Sequence, residues 1–268
     1  RGTHRAGRTE RMTEGALRTL SLNGERCASG APLELVSNSI AVDEEGGIYV
    51  VTSGALYQVR FDGSDLRLGW RVEYESETAS GVRLGEGSGS TPTVMGTAPG
   101  DDRFVVITDG RKLMHLVLAW RDEVPPDFEP IAPGKDPRIA CEVPVTFGDP
   151  GATESNSEQS VLVRGYASVV VNNKLANEAE LAKLPPDARR IQAALDGGDP
   201  AVAPHGLERI DWDPVTRTCR SVWANREVSI PNGIPTMSTA TGLIYGIGQR
   251  DGVGGLEGLR FATGEPAL

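Results

Sequence analysis

Cysteine is nearly missing from this chain, with three residues (Cys27, Cys141, Cys219) among 268. So few thiols exclude a disulfide-built scaffold, and an odd number leaves at least one unpaired within the chain. Histidine is equally scarce. His4, His115 and His205 are scattered without H-x-x-x-H or Cys/His spacing, so the sequence carries no zinc motif. Aromatic residues make up 5% of the chain, which leaves most of the packing to Val, Ile, Leu and Thr. No apolar run approaches the roughly 20 residues that a membrane-spanning helix needs. No G-x-S-x-G elbow offers a serine nucleophile. The glycine-rich stretch at 85–89 precedes no helical pattern with Lys, so it reads as a flexible connection and not as a phosphate loop. Positive charge is in deficit too: the net charge of −10 would repel nucleic acid phosphates. The chain opens on Arg1, with Arg5, Arg8 and Arg11 following and no apolar segment behind them, as a processed chain, a trimmed chain or a fragment would. Compartment is left open by these numbers, with export or the cell envelope as the expectation.

What the chain has in quantity is glycine (33) and proline (18), which suit many short strands joined by tight turns. It also repeats. GALYQVRFDG (54–63), RKLMHLVLAW (111–120), HGLERIDWDP (205–214) and GGLEGLRFAT (254–263) align without a gap. Each has Leu at the third place (Leu56, Leu113, Leu207, Leu256). The sixth place is aliphatic (Val59, Leu116, Ile210, Leu259), and the eighth is large and apolar (Phe61, Leu118, Trp212, Phe261). Before each lies a buried-strand pattern: 46–53, 102–109, 166–173 and 241–248. Shorter segments at 37–43, 90–96, 155–161 and 232–238 come earlier still. The first three units continue into a fourth pattern at 66–74, 137–145 and 216–224. Four strands in the order A-B-C-D, repeated, predict an all-β fold: a β-propeller or propeller arc of about four four-stranded blades. The units span 37–74, 90–145, 155–224 and an incomplete 232–265, within a domain of 16–268. Residues 1–15 are polar and aperiodic, and are expected to form a disordered basic tail.

The third unit holds a small α-helical insertion at 174–204, which accounts for the long interval between its leucine-bearing strand and that of the second. Asn177 and Glu180 resemble a capping box before Leu181 and Leu184. Asp187 would cap a second helix carrying Ile191, Ala194 and Leu195, with Gly197 just beyond its end. The fourth unit lacks an outer strand. Either 16–22 returns as the closing strand, or the chain is an arc of a larger propeller. The turn at Thr263-Gly264-Glu265, which should lead into another strand, favours the arc. An open arc would leave a blade face uncovered and prone to self-association.

Gly255-Leu256, Leu259, Phe261 and Thr263-Gly264-Glu265 resemble the strand and turn of quinoprotein-type propellers, those built of pyrroloquinoline quinone repeats. Residues 37–51 are similar to strands of that superfamily and of the gluconolactonase-like propellers. The resemblance spans 37–265 and concerns strand geometry. It implies the fold, with pyrroloquinoline quinone and Ca²⁺ as the cofactors such a protein would carry. The chain departs from the family where chemistry is concerned. The family's quinone dehydrogenases use an adjacent-cysteine disulfide, whereas Cys141 and Cys219 are far apart in sequence, on different predicted D strands, so no such pair is expected.

In such a fold the B–C turns and D–A connections emerge on one face. Asn38, Thr91, Asp109, Glu154, Asn156, Asn172, Asn173 and Asn232 should gather there as a polar funnel, with the helical insertion beside it as a lid. The competing reading is structural, because such residues at strand ends cap backbone groups. Glu154 and Asp109 with nearby Asn side chains would also suit a hard cation. Glu44 and Glu45 belong to an A–B turn on the opposite side and should face water. The functional expectation is a small molecule or protein partner bound at the funnel, with no nucleic acid and no membrane span. The alternatives are a quinoprotein-like oxidoreductase and a lactonase-like metal-dependent hydrolase.

Overall fold

The computed structural model describes residues 8–13, 16–22, 33–77, 86–231 and 233–268, with backbone alone over 8–13 and 16–19. Cys27, Asn232 and part of the basic tail lie outside the described residues. The fold is all-β in class, built of antiparallel meanders. β1 (Arg8–Thr13) and β2 (Ala16–Ser21) form a two-stranded hairpin. β3 (Ala41–Val42), β4 (Gly47–Val51), β5 (Ala55–Phe61) and β6 (Leu66–Glu73) make the first four-stranded sheet, ordered as in the chain. β7 (Thr93–Met95), β8 (Phe104–Thr108), β9 (His115–Trp120) and β10 (Ile139–Pro144) make the second. β11 (Leu162–Arg164), β12 (Ala167–Val171), β13 (His205–Asp213) and β14 (Thr218–Ser229) make the third. β15 (Thr236–Ser238), β16 (Leu243–Arg250) and β17 (Val253–Arg260) form a three-stranded fourth unit. It joins the third sheet through the single pair Ser229–Gln249. Two short helices, α1 (Glu178–Leu181) and α2 (Pro186–Asp196), interrupt the third sheet between β12 and β13.

The first meander turns where the sequence supplies an Asp and a glycine. The Asp43 carboxylate accepts from the backbone N–H groups of Glu45 and Gly47 at 2.9 and 2.7 Å. Gly46, between them, has φ +81°, which a β-carbon would disfavour.

The sheets stack face to face in chain order, so the middle sheets bury both faces. Along β8, Val105 and Ile107 pack toward Tyr49, Val51 and Leu56 of the first sheet. Phe104 and Val106, pointing the other way, pack with Val170, Ile210 and Trp212 of the third. Val169, Val171 and Leu207 then meet Ile244 and Leu259 of the fourth. The scarce aromatics concentrate at one interface: Phe104 lies 4.6 Å from Trp120 and 4.9 Å from Trp212, centroid to centroid. Each fully buried side chain of this size contributes roughly 1.5–3 kcal/mol. The shortest strands, β3, β7 and β11, are neighbours across consecutive sheets, as are β10 and β14.

Several expectations are corrected. Residues 8–13, assigned to a disordered tail, form β1. The segment 16–22 is a strand, but it pairs with β1 and lies against β6, not against the fourth unit. In the second unit the ungapped alignment is three residues out of register. Leu116 pairs with Thr108 at the end of β8, the place Leu56 holds opposite Val51. The cause is the longer β8–β9 turn, and a run apolar on both faces matches the pattern at either offset. Glu44 and Glu45 do not simply face water: they meet Arg121 and Arg103 of the second sheet at 2.7 and 2.6 Å. Cys141 and Cys219 form a disulfide between β10 and β14, with Cα atoms 6.1 Å apart.

Candidate functional site

Antiparallel pairing brings the turns β4–β5, β8–β9 and β12–β13 to one end of the stack, where the connections β6–β7, β10–β11 and β14–β15 also run. Backbone hydrogen bonds lock the two sets together. Gly110 N–H donates to Glu75 at 3.1 Å, Ser155 N–H to Lys112 at 2.9 Å and Asn173 N–H to Asn156 at 2.8 Å. The Ser90 hydroxyl accepts from Thr108 N–H at 2.8 Å.

The helical insertion folds over this end beside the third sheet. Its chain path differs from the capping expectation. Asn177 makes no side-chain cap; its amide donates instead to Asp196 Oδ2 at 2.7 Å, tying α1 to the end of α2. Pro185 holds the N-cap place of α2, with Pro at the first turn and Asp187 inside it, where its charge meets the positive helix end. Gly197 closes the helix as expected.

Between α2 and the loop end lies a cavity of about 830 Å³. Asn156, Gln159 and Asn173 supply its polar floor, and Leu175, Ile191, Ala194, Pro204 and Ile234 its apolar wall. That volume suits a small organic molecule, and Glu158, Glu178, Asp187 and Arg190 add charged groups to its lining. Asn156 and Gln159 are each 7% exposed. Gln159 Oε1 is buried and has no hydrogen-bond partner among the described residues. The Gln159 amide donates to the Ile230 carbonyl at 3.2 Å, which fixes the side chain against the β14–β15 connection. Ile191 and Leu195 on α2 are both 66% exposed, so the helix is set over the sheet end with its apolar stripe uncovered.

A second, polar cleft of about 580 Å³ lies across Leu175 from the first, with Glu154, Asn172, His205 and Arg226 in its lining. The expected site residues therefore divide. Asn156 and Asn173 share the first cavity, Glu154 and Asn172 the second, and Asn38, Thr91 and Asp109 line neither. Most of these side chains also hold backbone in place. Asn38 donates to the Ser88 carbonyl at 2.7 Å. Asn172 donates to His205 O and accepts from Lys174 N–H, both at 2.9 Å. Asn173 joins two connections, accepting from Glu158 N–H at 2.9 Å and donating to Pro231 O at 2.7 Å. Thr91 is half-buried in the β6–β7 connection.

The two carboxylates considered for a cation are paired with positive side chains. Asp109 is 1% exposed; its Oδ1 accepts from His115 N–H at 2.8 Å and its Oδ2 lies 3.3 Å from Arg111 Nε. Glu154 meets Lys112 at 2.6 Å and Lys174 at 3.2 Å. Those two ammonium groups hold its carboxyl below the ordinary range. The disulfide joins the outer strands β10 and β14 and is not an adjacent-cysteine pair. Among the described residues no three His, Cys, Asp or Glu side chains converge as a metal-ligand set.

The chain is similar to an uncharacterized protein of Archaeoglobus fulgidus, at 53% identity over 232 residues. The match takes in 87% of this chain and 44% of the relative, so the chain spans less than half the length of the curated protein it matches. No family model matches the chain, and no solved structure does.

Proposed function

We propose that this chain is a β-propeller arc of the quinoprotein-like kind that binds a small molecule in the cavity under α2. The propeller reading is supported by three features: meanders in A-B-C-D order, sheets stacked in succession, and shortest strands that neighbour one another from sheet to sheet. The binding reading rests on the cavity itself, where the buried Gln159 Oε1, without a described partner, lies with Asn156 beside an apolar wall. A ligand that donates to Gln159 Oε1, hydrogen-bonds Asn156 and covers Ile191 and Ala194 would satisfy the polar floor and bury the apolar wall.

The test is ligand-observed NMR with a library of common water-soluble metabolites, run on the unmodified protein, Ala194→Trp and Asn156→Ala. Ala194→Trp fills the cavity, and Asn156→Ala removes the floor amide. The expected result is at least one compound that binds the unmodified protein, is lost in Ala194→Trp and weakens about tenfold in Asn156→Ala, as a neutral hydrogen bond would give. Compounds that bind all three proteins alike, or no binding to the unmodified protein, would overturn the reading.

A further inference from the structure

The cavity under α2 is bounded by more charge of one sign than of the other. Glu158, Glu178 and Asp187 bring three carboxylates to its lining, and Arg190 brings one guanidinium. Glu158 precedes Gln159 of the floor and is half-buried, while Asp187 and Arg190 stand exposed on α2. Lys174 lies 3.4 Å from Glu178, but it is shared with Glu154 at 3.2 Å. The first turn of α2 would attract an anion, yet Asp187 already occupies it. The excess that remains is negative. It has the sign of the whole chain, whose net charge of −10 draws cations toward the opening.

A second observation names the group a ligand must present. The Gln159 amide nitrogen donates to the Ile230 carbonyl, and a carbonyl oxygen can only accept. That contact fixes which end of the amide is which, so the buried atom without a described partner is the acceptor, Oε1. An acceptor shut off from water is satisfied only by an N–H or an O–H. A ligand carboxylate has none to give, and Glu158 beside Gln159 would repel it. Asn173 offers no such opening, because its amide already accepts from Glu158 N–H and donates to the Pro231 carbonyl. Among the described residues no aromatic ring lines the cavity, so a quaternary ammonium would find no ring face to rest on.

We propose that the ligand of this cavity is a primary amine carried on an apolar body. Its ammonium donates to Gln159 Oε1 and is drawn by the carboxylates of Glu158 and Glu178, while its carbon skeleton covers Leu175, Ile191 and Ala194. The assignment rests on the reading of this cavity as a binding site, and goes beyond it by fixing the charge of what binds. An ammonium carries three N–H donors, so it can serve the amide oxygen and still meet a carboxylate. An alcohol of the same shape serves the oxygen alone.

Affinities measured by ligand-observed NMR on the full chain at neutral pH separate the possibilities. The probes are phenylethyl, cyclohexylethyl, indolylethyl and hexyl groups, each ending in a primary amine, a trimethylammonium, a hydroxyl or a carboxylate. The amines should bind about tenfold more tightly than the alcohols of the same skeleton, and the other two series more weakly than the amines. Added sodium chloride should weaken the amines and leave the alcohols unchanged. Gln159→Leu should cost the amines about tenfold. Glu158→Gln with Asp187→Asn should narrow the preference for amine over alcohol. That pair is isosteric and lies at half-buried and exposed positions, so it carries the test alone where Gln159→Leu loses its circular dichroism spectrum. Ala194→Trp, which fills the cavity, should abolish binding of every series. Alcohols, carboxylates or trimethylammonium forms that bind as tightly as the amines, yet are lost in Ala194→Trp, would overturn the amine assignment and keep the cavity as a binding site. Binding that survives in Ala194→Trp, or no binding by any series, would overturn both.

Discussion

Glu34 and Asp43 are carboxylates almost shut off from water, and their hydrogen bonds tie the first sheet to its surroundings. Glu34 accepts from Thr52 Oγ1 at 2.5 Å, Tyr57 OH at 2.7 Å and Arg71 Nη2 at 2.8 Å. Asp43 accepts from Tyr49 OH at 2.6 Å and lies 3.7 Å from the fully buried Arg121. Burial pushes both carboxyls up, but the hydrogen bonds outweigh it and both end below their ordinary values of 4.5 and 3.8. A folded-state pKa below the unfolded one means that the unfolded chain takes up protons first. The stability these groups supply is therefore complete above about pH 4.5 and is lost as pH falls through their folded values. Thermal melts across a pH series should show the midpoint falling in that acid range. Glu34→Gln should flatten the fall and cost about 1–3 kcal/mol at neutral pH, where Arg71 keeps Glu73 but loses its buried carboxylate partner. An acid limb unchanged in Glu34→Gln would show that other carboxylates set it. Glu34 was not legible in the sequence, since it stands outside every repeated pattern and its partners are 18 to 37 positions away. The asparagines were legible because Asn at a strand end has few roles. Sequence could not divide those that hold backbone, such as Asn172, from one that lines the first cavity, such as Asn156.

At the scale of elements, β-branched runs and Asp–Gly turns predict the meanders with most boundaries within a few residues. The signal fails where its periodicity is degenerate. In β9 both faces are apolar, because the second sheet is covered on both sides, so the repeat could be laid down three residues early. The helical insertion fails differently. Its helices follow from capping and proline placement, but an amphipathic stripe predicts burial, and on α2 it is left uncovered. That difference sets a prediction. Ile191→Ser with Leu195→Ser should change stability by less than about 0.5 kcal/mol, as exposed substitutions do. Leu181 in α1 is 2% exposed, and Leu181→Ala should cost about 2–5 kcal/mol. Urea unfolding of both variants decides the matter. A large loss from the α2 pair would mean that this helix is packed against something other than the cavity it borders.

On the scale of the whole molecule, two different bonds hold the second and third sheets together. One is the aromatic cluster of Phe104, Trp120 and Trp212. The other is the disulfide Cys141–Cys219, which links β10 to β14 across 78 positions of sequence. The two cysteines occur in equivalent D strands of consecutive units, yet their spacing alone names no pair. Only the contact between successive outer strands makes them partners. Because the closed loop is long, the crosslink restricts the unfolded chain strongly, by about 4.5 kcal/mol on the chain-entropy model. The aromatic cluster, by contrast, acts in the folded state and does not depend on redox conditions. Reduction should therefore lower the melting temperature without dispersing the sheets, and Cys141→Ser with Cys219→Ser should behave as the reduced protein does. Melting followed by near-ultraviolet circular dichroism, with and without reductant, separates the contributions, since tryptophan ellipticity reports the aromatic interface. Loss of that ellipticity at room temperature on reduction would show that the crosslink, and not the apolar contact, keeps these sheets stacked. An unchanged midpoint would show that the unfolded chain is already held compact without it.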